Sequence, residues 1–287
     1  MAESAGPGRD GRSELSLRVA SSLVLALIAL LATHWGGWVF AGLWFLAGAA
    51  VLHEWLAVTQ VEPRFALQIA FTILLAGLSA LFFAADGGAL EGSAALVLAA
   101  GVAAACARTA PDRRWAAAGF AYAAVITVAP PLVREHPQLG FVAILWMFAV
   151  VWFTDIAAYF TGRRLGGPKL WPAVSPKKTW SGFAGGLLAA IAGGGAVVLV
   201  ATRFGWTPPV SLCVVLVVSA LASILSQLGD LGESAFKRRF GAKDSGRLIP
   251  GHGGVMDRLD GFWAVAALMG LVLAGAQGAR GAWSAAG

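Results

Sequence analysis

The sequence predicts an all-α polytopic membrane protein with about nine transmembrane helices. Hydrophobic residues make up 58% of the 287 residues, whereas charged residues make up only 13%, about half of the ~25% that is usual in soluble domains. The mean hydropathy is +0.75, and the sequence contains 12 tryptophans, a residue enriched at membrane interfaces. So few charges could not cover a soluble globule of this length, which excludes that class.

A spanning helix needs about 20 mostly apolar residues, and nine windows of the sequence fit this requirement. We expect the polar residues 1–16 before them to form a disordered cytoplasmic tail. The first window resembles the core of a signal peptide, but no small-x-small cleavage site precedes Trp35, so we predict that it is retained. The windows are Leu17–Trp35, Gly37–Leu56, Phe65–Ala85, Ser93–Thr109, Trp115–Val133, Phe141–Thr161, Gly182–Ala201, Val210–Leu231 and Gly261–Gly278.

The basic residues predict that the N-terminus lies inside and the C-terminus outside. With this orientation, 18 of the 21 lysines and arginines fall on the cytoplasmic side, and only Arg134, Arg203 and Arg280 fall outside. Cytoplasmic loops of membrane proteins are enriched in Lys and Arg, and a missed or additional span would scramble the distribution. We therefore expect a multi-pass protein of the inner (cytoplasmic) membrane.

Polar residues are distributed unevenly between the two halves of the chain. Residues 17–140, with spans one to five, contain few of them, and we expect an N-terminal membrane scaffold. His53 and Glu54 are exceptions, which we explain by side chains that extend to the membrane interface rather than by a site. Residues 141–287, with spans six to nine, are the predicted catalytic membrane domain. Their two cytoplasmic loops, residues 162–181 and 232–260, hold 11 of the 21 basic residues.

Each of these loops follows a span with a carboxylate near its cytoplasmic end, Asp155 in span six and Asp230 in span eight. Carboxylates inside membrane segments are costly and therefore indicate function; neutral burial or pairing with an arginine is the alternative. If span eight remains helical, Asp230, Glu233 and Lys237 share one helical face. Two carboxylates one turn apart can hold a hard cation such as Mg²⁺ next to a phosphate.

A second acidic pair, Asp257 and Asp260, lies just before span nine, and the segment between the two pairs is basic and rich in glycine. Glycines and ammonium groups can approach phosphates closely. The loop 162–181 is also basic and contains two prolines; it suits an anionic headgroup or a nucleoside triphosphate, or else it binds anionic lipid without a catalytic role. Together, the two loops favour metal-dependent phosphate chemistry.

Several other catalytic arrangements are excluded. The sequence has no P-loop motif, no H-E-x-x-H, no C-x-x-C and no G-x-S-x-G. His252 is the only histidine in either loop, which argues against a Ser-His-Asp site. We therefore expect the chemistry to depend on metal and cations more than on a general base.

The stretch from Ser234 to Asp260 resembles the signature of the phosphatidate cytidylyltransferases, also called CDP-diacylglycerol synthases. The matching residues are Ser-Ala-Phe-Lys-Arg at 234–238 and Lys-Asp-Ser-Gly-Arg-Leu-Ile-Pro-Gly-His-Gly-Gly-Val-Met-Asp-Arg-Leu-Asp at 243–260. Residues 155–162 and 175–180 are similar to the family as well. Ser181 departs from it, since a Glu is expected before Gly182, so a carboxylate role there is in doubt. The resemblance is strong from about Trp152 to Asp260.

The resemblance implies a nucleotidyltransferase of phospholipid biosynthesis that converts CTP and phosphatidic acid into CDP-diacylglycerol and pyrophosphate. We expect Asp230 and Asp257 to be the principal ligands of Mg²⁺, or of two cations, with Glu233, Asp260 and Asp155 in support. The expected catalytic residues are Asp230, Lys237, Lys243, Asp257 and Arg258. The expected substrate-binding residues are Asp155, Tyr159, Lys177, Lys178, Thr179, Arg238, Asp244, His252, Gly253 and Gly254.

The expected partners are CTP, phosphatidic acid and the lipid bilayer, without nucleic acid. The resemblance also favours a homodimer, and Gly182 and Gly186 form a G-x-x-x-G motif that permits close helix packing within one chain or between two. The first alternative function is a CTP-dependent polyprenol or diacylglycerol kinase, which would transfer the γ-phosphate. The second is a transporter or channel, which the unlike halves of the chain disfavour.

Overall fold

The computed structural model describes residues 10–84, 89–251 and 253–285, and these residues form nine helices and one β-hairpin. The helices are α1 (Asp10–Trp35), α2 (Gly37–Thr59), α3 (Arg64–Ala84), α4 (Ala89–Ala105), α5 (Ala110–Arg134), α6 (Gly140–Leu165), α7 (Trp180–Arg203), α8 (Leu212–Arg239) and α9 (Met256–Ala285). The hairpin strands β1 (Lys169–Trp171) and β2 (Ser175–Thr179) lie between α6 and α7.

Each of the nine predicted windows overlaps one of these helices. Within the described residues, seven helices are long and apolar enough to cross a membrane: α1, α2, α3, α5, α6, α7 and α8. Helix α4, with 17 residues, and helix α9 are not among them. The prediction of an all-α polytopic membrane protein is thus confirmed, whereas the count of nine spans and the orientation stay predictions.

The structure differs from the sequence prediction at two places. Helix α1 begins at Asp10, so residues 10–16 of the predicted tail are helical; residues 1–9 lie outside the described part of the chain. The loop after α6 contains an antiparallel hairpin in which Lys169 lies opposite Thr179 and Trp171 opposite Ser175. Strands of 3 and 5 residues carry no readable alternation of apolar and polar residues, which is why the pattern did not predict them.

Three buried clusters hold the helices together, and the third, smaller one joins Val51 and Trp55 of α2 to Met256 of α9. The first lies between α1, α2 and α5–α9, where Trp44 stacks on Phe262 with ring centroids 4.8 Å apart. The second lies between α2, α3, α4 and α5 and is centred on Leu52, Phe71 and Phe120. Because α2 and α5 contribute to the first two clusters, the N-terminal half of the chain is fixed against the C-terminal half.

Glycines allow α6 and α7 to approach each other closely. A Cβ atom on Gly182 would lie 2.8 Å from the carbonyl oxygen of Ala158, and one on Gly186 would lie 2.8 Å from that of Thr154. The G-x-x-x-G motif therefore packs against α6 of the same chain, which answers the question left open by the sequence.

Candidate active site

Helix α8 places three of the predicted site residues on one helical face. The helix continues to Arg239, so Asp230, Glu233 and Lys237 lie within it, as the spacing required. Glu233 and Lys237 are buried, and the Lys237 Nζ atom lies 2.6 Å from Glu233 Oε2. A buried ion pair of this kind is expensive to break, because the remaining charge would be left without a partner.

Asp257, at the start of α9, binds the same lysine. Its Oδ1 atom lies 2.6 Å from Lys237 Nζ, and its Oδ2 accepts the backbone N–H groups of Gly254 at 2.9 Å and Ser245 at 3.0 Å. Burial alone would disfavour the ionised form, but these donors outweigh it and lower the pKa of Asp257 below its ordinary value. The ionised Asp257 carboxylate thus connects the start of α9 to Lys237 on α8 and to Ser245 in the loop between the two helices.

Asp230 has a different environment, on the side of α8 that meets the hairpin. Its Oδ2 atom lies 2.5 Å from the Nζ atom of Lys178 on β2, and the two side chains are 31% and 26% exposed. Ser234 Oγ lies 3.5 Å from its other oxygen. The Lys178–Asp230 ion pair joins the hairpin of the first predicted loop to α8, a few residues before the second predicted loop begins, although the two residues are 52 positions apart in the sequence.

Two further carboxylates belong to the same region. Asp155 on α6 is within electrostatic range of Asp230, Lys178 and Arg258. Asp260 on α9 interacts with Asp155 and Asp230 in the same way, and its Oδ1 accepts the N–H of Gly261 at 2.7 Å. Helices α8 and α9 touch here, because a Cβ atom on Gly229 would lie 2.7 Å from the carbonyl oxygen of Asp260.

Helix α2 contributes a carboxylate that the sequence reasoning did not assign to the site. Glu54 is only 1% exposed, and it accepts hydrogen bonds from Ser245 Oγ and from the backbone N–H groups of Val255 and Met256. The expectation that this side chain extends to the membrane interface is therefore wrong. The signal in the sequence was a carboxylate next to His53 in a mostly apolar span, and its partners lie about 200 residues away.

Other predicted residues have more varied positions. Thr179 is buried and caps α7, with its Oγ1 accepting the N–H of Gly182 at 3.1 Å. Tyr159 is 57% exposed, and its hydroxyl accepts a hydrogen bond from Arg163 at 2.8 Å. Gly253 has a φ of +89°, a conformation that favours glycine. His252 lies outside the described residues.

The remaining predicted cations and one acid are exposed on the hairpin, at the end of α8, in the loop after it and at the start of α9. Arg238 donates to the carbonyl oxygen of Ala242 at 3.3 Å. The exposed residues are Lys177, Arg238, Lys243, Asp244 and Arg258.

Two carboxylates of this region, Asp230 and Glu233, fit a magnesium ion. Among the described residues, no group of three or more His, Cys, Asp or Glu side chains lies close enough to form a complete metal cage. Mg²⁺ does not need one, because it binds through one or two carboxylates and completes its shell with water and substrate phosphates. Asp230 is partly exposed, and the buried Glu233 Oε1 has no hydrogen-bond partner in the part of the chain described here. The carboxylate oxygens of these two residues fit such an ion as ligands.

The sequence is similar to known proteins of one family. The sequence profile of the Cytidylyltransferase family matches residues 16–275. The chain is 44% identical over 264 residues to the phosphatidate cytidylyltransferase of Brucella suis biovar 1 (strain 1330), which covers 90% of this chain and 92% of the relative. It is 47% identical over 130 residues to the phosphatidate cytidylyltransferase of Staphylococcus haemolyticus (strain JCSC1435), covering 45% of this chain and 48% of the relative. The chain therefore belongs to the cytidylyltransferase family.

Proposed function

We propose that the protein transfers a cytidylyl group from CTP to phosphatidic acid and releases CDP-diacylglycerol and pyrophosphate. The observation that carries this proposal is the Lys178–Asp230 ion pair, which joins the basic hairpin after α6 to the C-terminal part of the apolar helix α8, next to the second basic segment. Such a place can receive a water-soluble polyanion and a lipid phosphate together. The relatives of the same name, at 44% identity over most of the chain, support the same reaction.

The reaction is a displacement at phosphorus. A phosphatidate oxygen forms a new bond to the α-phosphorus of CTP, the bond from that phosphorus to the α,β-bridging oxygen breaks, and its electron pair leaves with pyrophosphate. The second pKa of a phosphate monoester is about 6, so the attacking oxygen is already ionised at neutral pH. A general base is unnecessary, in agreement with the scarcity of histidine in the two loops.

The barrier arises because two polyanions must meet and further charge develops on the leaving group. Preorganised cations lower this barrier by positioning and electrostatic stabilisation. We assign the binding of phosphates to Lys178, Arg238, Lys243 and Arg258. Lys237 is already shared by Glu233 and Asp257, so it offsets part of their negative charge and fixes the loop between them.

The proposal includes Mg²⁺, or two cations, bound through Asp230 and Glu233, with Asp257, Asp260 and Asp155 close by. When bound, the ion neutralises charge on the triphosphate and on the departing pyrophosphate. The buried Glu233 Oε1 supports this assignment, since a carboxylate oxygen without a donor is costly unless a ligand engages it.

In the membrane, we propose nine spans with the N-terminus inside, so that the site faces the cytoplasm at the inner membrane. The support is the excess of basic residues on one side. The acyl chains would then enter sideways between helices. Reporter fusions after residues 60 and 203 test the orientation.

We also propose a homodimer, supported by the resemblance of the sequence to this family and tested by native mass spectrometry of the purified protein.

The test of the proposed function is an assay of purified protein with CTP, Mg²⁺ and phosphatidic acid. We expect CDP-diacylglycerol and pyrophosphate in equal amounts, detected by mass spectrometry and by a coupled phosphate assay after pyrophosphatase. Omission of Mg²⁺ should abolish both products. Folded protein that forms neither product with all substrates present would overturn the proposal.

A further inference from the structure

We propose that Glu54, in the N-terminal half, is a positioning residue for the loop before α9 and for Asp257 at the start of that helix. The carboxylate is almost fully buried and accepts three hydrogen bonds from that loop and the start of α9. Val255 N–H donates to Oε1 at 2.9 Å, while Met256 N–H and Ser245 Oγ donate to Oε2 at 2.8 and 2.9 Å. This inference rests on the proposed function wherever enzyme activity is the quantity measured.

The charge of Glu54 suits its location. The first N–H groups of a helix have no acceptor within the helix, and the helix dipole makes this end positive. Glu54 supplies both the acceptor oxygens and the negative charge from a different helix. A glutamine has only one acceptor oxygen, and its amide N–H₂ would face a donor. Glu54→Gln would therefore leave at least one buried donor unsatisfied.

The shape of the loop provides a second, independent observation. Gly246 and Gly254 both pack against the Glu54 carboxylate: a Cβ atom would lie 2.6 Å from Oε1 at the first position and 2.5 Å from Oε2 at the second. Any larger residue would push the loop away. The loop thus wraps around this carboxylate by contact as well as by hydrogen bonding.

Ser245 connects Glu54 to the site. Its hydroxyl binds Glu54, while its backbone N–H donates to Asp257 at 3.0 Å. Asp257 in turn holds Lys237. A displacement of Glu54 would therefore shift Ser245, then Asp257 and Lys237, although Glu54 itself touches none of the proposed reacting groups.

The same contacts limit where the phosphates can bind. The N–H groups of Gly254, Val255 and Met256 all donate to carboxylates of the protein, either Asp257 or Glu54. The start of α9 is thus occupied from within the chain. These three N–H groups are therefore not offered to substrate phosphates, and we assign the phosphates to lysine and arginine side chains.

The test compares Glu54→Gln with the matched control Glu62→Gln, a substitution at an exposed glutamate in the same half. We expect kcat of the folded Glu54 variant to fall about 10-fold to 100-fold, as is usual when a second layer of hydrogen bonds is lost, with a smaller change in KM for CTP. Hydrogen exchange of the 245–256 segment should increase. The control should match the parent protein in both measurements.

A second variant covers the case in which Glu54→Gln does not fold. Ser245→Ala removes only the hydroxyl that links the loop to Glu54, so a smaller fall in kcat and faster exchange of 245–256 are expected. Wild-type kcat with unchanged exchange in either folded variant would overturn the inference, as would a lower thermal midpoint with unchanged kcat. If the parent protein makes no CDP-diacylglycerol, the proposed function fails, and hydrogen exchange alone decides the positioning role.

Discussion

Asp257 and Asp230 belong to one site but have opposite environments. Asp257 has three donors from the protein, the Lys237 ammonium and the backbone N–H groups of Ser245 and Gly254, and its side chain is 7% exposed. Asp230 is 31% exposed and has one ion pair, with Lys178 on the hairpin. From the sequence alone, the two aspartates are predicted to be equivalent ligands of a metal ion.

The difference indicates a division of labour within the site. The Glu54–Ser245–Asp257–Lys237–Glu233 network, which we call the loop anchor, fixes the loop between α8 and α9. The Lys178–Asp230 pair is partly exposed between the hairpin and α8, where an exchange of partners with a metal ion or a phosphate costs little. We therefore expect loss of Asp257 to damage fold and activity together, and loss of Asp230 to damage activity alone.

The largest effect is expected for Asp257→Asn. Removal of this charge leaves the buried Lys237 with one carboxylate instead of two, and we expect the free energy of unfolding to fall by roughly 3 kcal/mol, together with loss of activity. Because the pKa of Asp257 is lowered in the fold, its contribution to stability exists above the ordinary Asp pKa and is lost as the pH falls through the lowered value. Denaturant unfolding in detergent at neutral and acidic pH measures the loss of stability and its pH dependence. An unchanged unfolding midpoint would contradict the stabilising role of the loop anchor.

Asp230→Asn is expected to lower kcat by about 100-fold to 1000-fold, the usual cost of losing a group that stabilises charge in the transition state. Stability should change by less than about 1 kcal/mol, because a partly exposed ion pair contributes little. Steady-state assays and thermal unfolding of the same preparation measure the two quantities. Near-normal turnover would remove Asp230 from the list of metal ligands.

Lys178→Met is expected to lower kcat/KM for CTP roughly 10-fold, as is usual when one charged hydrogen bond is lost. The matched control is Lys169→Met, which removes an exposed lysine from the other strand of the hairpin. Titration of CTP at fixed phosphatidic acid gives the ratio. Equal losses in the two variants would mean that the hairpin contributes only general positive charge.

The smallest effect is expected for Ser181→Ala. Ser181 Oγ donates to the carbonyl oxygen of Gly166 and lies 3.0 Å from Thr179 Oγ1, so it helps to set the hairpin against α7. We expect stability to fall by about 1 kcal/mol and activity to change by less than in Lys178→Met. A loss of activity as large as that of Asp230→Asn would assign Ser181 a direct role instead.

The sequence was sufficient for the helices and for part of the site. Apolar windows gave the order of the helices, and the spacing of Asp230, Glu233 and Lys237 predicted their common face, because both depend on local periodicity. The strands of the hairpin are too short to show an alternating pattern, and the role of Glu54 depends on contacts between distant residues. Ser245 and Glu54 are 191 positions apart, and no local pattern reports such a pairing.

The most direct test of the central claim is the position of label in the lipid product. Purified protein is incubated with phosphatidic acid, Mg²⁺ and CTP labelled in either the α- or the γ-phosphate, and diacylglycerol is supplied in a parallel reaction. The proposed reaction predicts label in the lipid from α-labelled CTP only, with the γ-label recovered in pyrophosphate. Lipid labelled from the γ-position, with diacylglycerol as the acceptor, would contradict it and indicate a kinase.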